Sequence, residues 1–138
     1  MRFRYLIALP VLWAFVPAAA GDLAAPTLAK FIRVLVQSTG NKSIACTNKE
    51  LATELESLGV GIDPLAKLVW VDSDKELARH AKGGRIVLCD SRALLAGGAC
   101  LAVIAEGGRP AIYVSPRSLA AAGATLPDNI MKIAKVAQ

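Results

Sequence analysis

The chain has 138 residues, of which 54% are hydrophobic and 20% charged, with a formal net charge of +5. That length supports one domain with its own core and is short for two. The basic residues are scattered and aromatics make up only 5%, which argues against the clustered basic stripe with interleaved aromatics that marks a nucleic-acid binder.

Arg2 and Arg4 form a short basic region, Tyr5 to Val16 is an apolar run broken only by Pro10, and Ala18-Ala19-Ala20 places small residues where a signal peptidase reads. The pattern predicts a secretory signal peptide over residues 1–20, cut before Gly21. A membrane-spanning helix would need about 20 apolar residues, and no cysteine follows the run to carry a lipid. The expectation is an exported, periplasmic chain with one α/β domain over residues 21–138. Loss of Arg2 and Arg4 takes the formal charge from +5 to +3.

Ala25 to Val36 reads as a helix, with Pro26 in its first turn and Leu28, Phe31, Ile32 and Leu35 at helical spacing. Ser43 to Cys46 is a short strand. Thr47 and Glu50 then have the spacing of a capping box opening a helix that carries Leu51, Leu55 and Leu58 and stops at Gly59. Gly61 to Lys67 reads as a connection, and Leu68 to Val71 as a strand. Ser73 and Glu76 repeat the capping pattern before a helix ended by Gly83-Gly84. Ile86 to Cys89 is apolar throughout, as in a parallel strand covered on both faces. After a helical turn at Ser91 to Leu95, Cys100–Ala105 and Ala111–Val114 flank a Gly-Gly turn as a hairpin. Ser115-Pro116 caps a helix running to Ala122, and Asp128 to Val136 reads as the last helix. The order predicts a single-domain, Rossmann-like α/β sandwich: a mixed, partly parallel sheet flanked by helices, with a C-terminal hairpin and helices.

Catalytic chemistry finds little support. His80 is the lone histidine, it sits at a helix end that favours its cation, and no Gly-x-Ser-x-Gly elbow surrounds a serine. Lys82-Gly83-Gly84-Arg85 and Glu106-Gly107-Gly108-Arg109 match neither phosphate-binding fingerprint and read as turns. Asp72 and Asp74 read as helix-start carboxylates. No catalytic, cofactor-binding or metal-ligating residue is therefore assigned. Cys46 and Cys89 each end a predicted strand. Were those strands parallel neighbours, a Cys46–Cys89 disulfide would fit the strand spacing of about 4.8 Å, leaving Cys100 as a buried thiol. A Cys89–Cys100 link and three reduced cysteines are the alternatives.

Ile104 to Arg109, Ala111-Ile112-Tyr113-Val114, Ser118 to Gly123 and Asn129 to Val136 follow one another as in the C-terminal part of YfiR-type periplasmic proteins, and the chain resembles that family. Leu28-Ala29-Lys30-Phe31-Ile32 is similar to the family's opening helix and Ile44-Ala45-Cys46 to its first strand. The resemblance implies a regulatory binding protein without enzymatic activity. Its partner would be the periplasmic part of an inner-membrane sensor or diguanylate cyclase, placing the chain in cyclic-di-GMP signalling. A homodimer is a further possibility. The alternative is a periplasmic small-ligand-binding protein with its site at the strand C-termini. The expected partner surface is the terminal helix, where Ile130, Met131 and Ile133 offer more apolar groups than one buried face requires.

Overall fold

The structure, a computed structural model, describes residues 23–81 and 84–136. The expected leader and its cleavage site lie outside the described residues. In chain order the elements are α1 (Ala25–Ser38), β1 (Ser43–Ile44), α2 (Lys49–Ser57), β2 (Gly61–Ile62), β3 (Leu68–Trp70), α3 (Asp74–His80) and β4 (Ile86–Cys89). They are followed by α4 (Arg92–Ala96), β5 (Leu101–Glu106), β6 (Arg109–Val114), α5 (Pro116–Ala121), α6 (Asp128–Ile133) and β7 (Lys135–Val136).

The sheet is mixed. β3, β4 and β5 are parallel neighbours, β6 returns antiparallel to β5, and β7 lies parallel to β6. β1 pairs with β2 in parallel. It joins β3 through Ala45, whose N–H donates to the Leu68 carbonyl at 2.9 Å and whose carbonyl accepts from Trp70 N–H at 2.8 Å. The strand order across the molecule is therefore 2-1-3-4-5-6-7. The α/β class and the partly parallel sheet flanked by helices are as the sequence predicts.

Alternation along the central strands divides the core in two, because successive side chains leave a strand on opposite faces. Leu68, Trp70, Ile86, Leu88, Leu101 and Val103 face α1, α2, α5 and α6. Val69, Val71, Val87, Cys89, Ala102 and Ile104 face α3 and α4, which contribute Leu77, Leu94 and Leu95. α1 holds the larger cluster together: Leu28, Ala29, Ile32, Leu35 and Val36 are all buried along one stripe. It ends where Gly40 takes φ +78° and Asn41 N–H returns to the Val36 carbonyl. The β5–β6 hairpin turns through Gly107 and Gly108, both at positive φ, the conformation a two-residue type I′ turn requires of both central residues.

Four expectations need correction. The N-cap of α2 is Asn48, whose side chain accepts from Leu51 N–H at 3.0 Å; Thr47 instead donates its hydroxyl to Glu76 Oε2 at 2.5 Å. The segment after Gly61 opens with strand β2, held by pairing to β1. The last helix stops at Ile133, because Lys135 and Val136 leave it to pair with Tyr113 and Val114. Finally, Cys46 and Cys89 are not bonded: β3 lies between the strands they follow, and all three cysteines are free thiols.

Candidate functional site

Two concave places stand out. The first is a groove of about 330 Å³ on the α1 side of the sheet. Phe31 from α1, Pro110 and Ile112 from β6 and Ile133 from α6 form its apolar walls, with Arg109 and Lys135 supplying positive charge. Ile133 is 62% exposed, Val34, one turn beyond Phe31, is 49% exposed, and Val136 is 56% exposed. Of the three residues expected at a partner surface, Ile133 lines this groove and Met131 is 40% exposed. Ile130 is 1% exposed and belongs to the core, which removes it from the surface assignment. The sequence reading missed Phe31 and Val34. Val34 carries the signal, as an apolar residue on α1 outside its buried stripe.

Glu106 fixes the outer side of this region. It accepts from Lys135 Nζ at 2.7 Å, from Arg92 Nη2 at 2.8 Å and from the Tyr113 hydroxyl. The Arg92 guanidinium also stacks 4.5 Å from the Tyr113 ring centroid. The Lys135, Tyr113 and Arg92 donors hold the Glu106 carboxyl at a pKa of about 2. The same contacts tie α4, β5, β6 and β7 into one corner, and because Lys135 is paired with Glu106, itself in the lining, the groove's cation without a carboxylate partner among the described residues is Arg109.

The second place is a cleft of about 390 Å³ beside α3. Its floor is Ala45 and Val69, one wall is Ile62 and Pro64, and the other is the face of α3 bearing Glu76, Arg79 and His80, which sit at helical spacing i, i+3 and i+4. It lies at the β1/β3 junction, where the strand order reverses and open α/β sheets bind ligands. The C-terminal ends of those strands carry a polar network. Glu76 accepts from Thr47 and lies 3.4 Å from Asp72 N–H, and Asp72 accepts from Asn48 Nδ2 at 3.2 Å. The Thr47 hydroxyl lowers the Glu76 pKa, while burial and the neighbouring Glu76 raise that of Asp72.

His80 does not behave as its helix-end position suggests. Its Nδ1 lies 3.2 Å from Arg85 Nη1, so it accepts, and the ring proton sits on Nε2. Burial, then Arg85 and Arg79, lower its pKa and favour the neutral ring. Arg85 in turn donates to the carbonyls of Pro64 and Ala66, at 2.7 and 2.8 Å from Nη2. Cys46 borders the cleft, but burial pushes its thiol to about 11. Burial likewise raises Cys89 to about 11 and Cys100 above its ordinary value. None of the three offers a thiolate at neutral pH.

Among the described residues no helix is long and apolar enough to cross a membrane, and no cluster of histidine, cysteine, aspartate or glutamate is arranged to hold a metal ion. No family model matches the chain, and no curated protein matches it. Among solved structures it is similar to the ABC domain in complex with L-Trp from Streptococcus pneumoniae. The TM-score is 0.61, with 11% sequence identity over 82% of this chain and 62% of that chain. The chain thus spans less than two thirds of that neighbour, and at this identity the likeness shows the α/β fold alone.

Proposed function

We propose that the chain is an exported regulatory binding module of the YfiR type, acting by contact on the periplasmic part of an inner-membrane signalling protein such as a diguanylate cyclase. The observation that carries this reading is the apolar groove between α1, the hairpin and α6. Half-buried Phe31 and exposed Ile133 line it beside Arg109 and Lys135, and Val34, one turn beyond Phe31, leaves further apolar surface in water, a combination that marks interaction sites. The YfiR-like order of elements supports the choice of partner. On this reading the protein turns over no substrate, and partner binding withdraws Ile133 from solvent.

The test is genetic and biochemical. Deleting the gene should raise cellular cyclic-di-GMP, and the wild-type chain should restore it. Ile133→Glu should be exported and folded, its stability within about 0.5 kcal/mol of wild type as for most surface changes. It should nevertheless fail to restore the level or to capture the cyclase's periplasmic domain. Full complementation by Ile133→Glu, or no change in cyclic-di-GMP on deletion, overturns the reading.

A further inference from the structure

The cleft beside α3 plays no part in that proposal, and its charges do not cancel. Arg79 and Arg85 stand at the His80 end, and among the described residues neither is within salt-bridge distance of a carboxylate. Arg85 spends its donors on the Pro64 and Ala66 carbonyls and on His80, which satisfies its hydrogens without neutralising its charge. The carboxylate in the lining, Glu76, sits one helical turn away and is already engaged by Thr47 and the Asp72 backbone. An anion entering the cleft would meet the Arg79 guanidinium and the His80 Nε2–H, donors with no hydrogen-bond partner among the described residues. Apart from Cys46 and Thr47, the rest of the lining is aliphatic or aromatic, with Val69, Ile62 and Pro64 prominent. A site of this volume, with apolar walls and a few polar groups at one end, suits a ligand with an apolar body and one charged head.

We propose that this cleft binds a small carboxylate carrying a short apolar body, with Arg79 and His80 holding the carboxylate and the β1–β3 floor and Ile62 covering the body. Arg rather than Lys fits the role, since its planar fork matches two carboxylate oxygens. The site is separate from the groove at Ile133, which lies on the α1 side of the sheet. On these two proposals the molecule has two separate surfaces, one for a protein and one for a small anion.

Trp70 lines the cleft and is the lone tryptophan once residues 1–20 are removed, so its emission reports on the site without a label. The test is a titration of the mature protein with hexanoate and, in parallel, with 1-hexanol, which keeps the body and lacks the charge. Hexanoate should give a saturable change in Trp70 emission. 1-Hexanol should bind roughly 10- to 100-fold more weakly, the span of one hydrogen bond to a charged group. Arg79→Gln should weaken hexanoate by a similar factor with an unchanged urea midpoint, and Ile133→Glu should leave hexanoate binding unaltered. No saturable response, equal binding of the alcohol, or insensitivity to Arg79→Gln overturns the proposal. So does loss of hexanoate binding in Ile133→Glu, which would move the ligand to the other groove. None of these outcomes bears on the capture of a cyclase domain.

Discussion

Glu106 shows how one exposed carboxylate can organise a corner of the fold. Three donors from three elements converge on it, and they hold its pKa at about 2 against an ordinary 4.5. A carboxyl depressed by folding contributes stability that is present above its unfolded value and is lost as pH falls from about 4.5 toward 2. Glu106→Gln should therefore lower the urea midpoint at about pH 6 and change it less at about pH 3, which flattens the acid limb of the stability curve, and the loss at pH 6 should be small because salt screens an exposed cluster. An acid limb as steep as the wild type's would show that the cluster does not couple to folding. Arg85 organises the opposite side. Arg85→Gln removes one of the two cationic neighbours that lower the His80 pKa, so the His80 titration followed by NMR should move upward. Because the same change strips donors from the Pro64 and Ala66 carbonyls, it should also destabilise by about 1–3 kcal/mol.

At the scale of elements, the sequence disclosed what is local and missed what is not. Helix starts were visible at Ser73, Ser91 and Ser115, each of which accepts a first-turn N–H as expected of an N-cap. The start of α2 was misplaced by one residue because Thr47 and Asn48 are both competent caps. The decision falls to Glu76, 29 residues away, which takes the Thr47 hydroxyl and leaves the cap to Asn48. Two substitutions separate the roles. Asn48→Ala should cost about 1 kcal/mol, the usual value of a cap. Thr47→Ala should leave α2 capped but raise the Glu76 pKa, since that hydroxyl is the largest influence lowering it. β2 and β7 escaped notice for another reason. Each has two residues, too few to show a period of two, and each exists because a neighbouring strand supplies hydrogen bonds. The candidate sites were less legible still. The groove joins α1 to residues roughly a hundred positions later in the chain, and the Cys46–Cys89 pairing failed because β3 inserts between two strands that are consecutive in no local sense.

For the molecule as a whole, the central question is whether the two faces of the sheet fold as one unit. The covering helices differ greatly. α1 spans 14 residues, whereas α3 and α4 span seven and five. Helices under about 12 residues are marginal in isolation, so α3 and α4 persist only through the apolar surface they bury. That surface comes from the same three strands that carry the other cluster: Val69 and Val71 alternate with Leu68 and Trp70, Val87 and Cys89 with Ile86 and Leu88, and Ala102 and Ile104 with Leu101 and Val103. Both clusters are thus built on the same strands, so they should melt together. Leu77 tests this. It is 4% exposed on α3, on the face away from α1, and its Cδ2 packs 3.1 Å from where a Cβ on Gly97 would stand. Leu77→Ala should destabilise by about 2–4 kcal/mol, as cavity-forming changes in cores do. In urea the shift should appear equally in far-UV circular dichroism and in the emission of Trp70, which packs in the α1-side cluster and also borders the cleft, the coincidence expected of a two-state domain. Were the Trp70 transition to stay at its wild-type midpoint while ellipticity was lost earlier, α3 and α4 would form a separate, weaker layer.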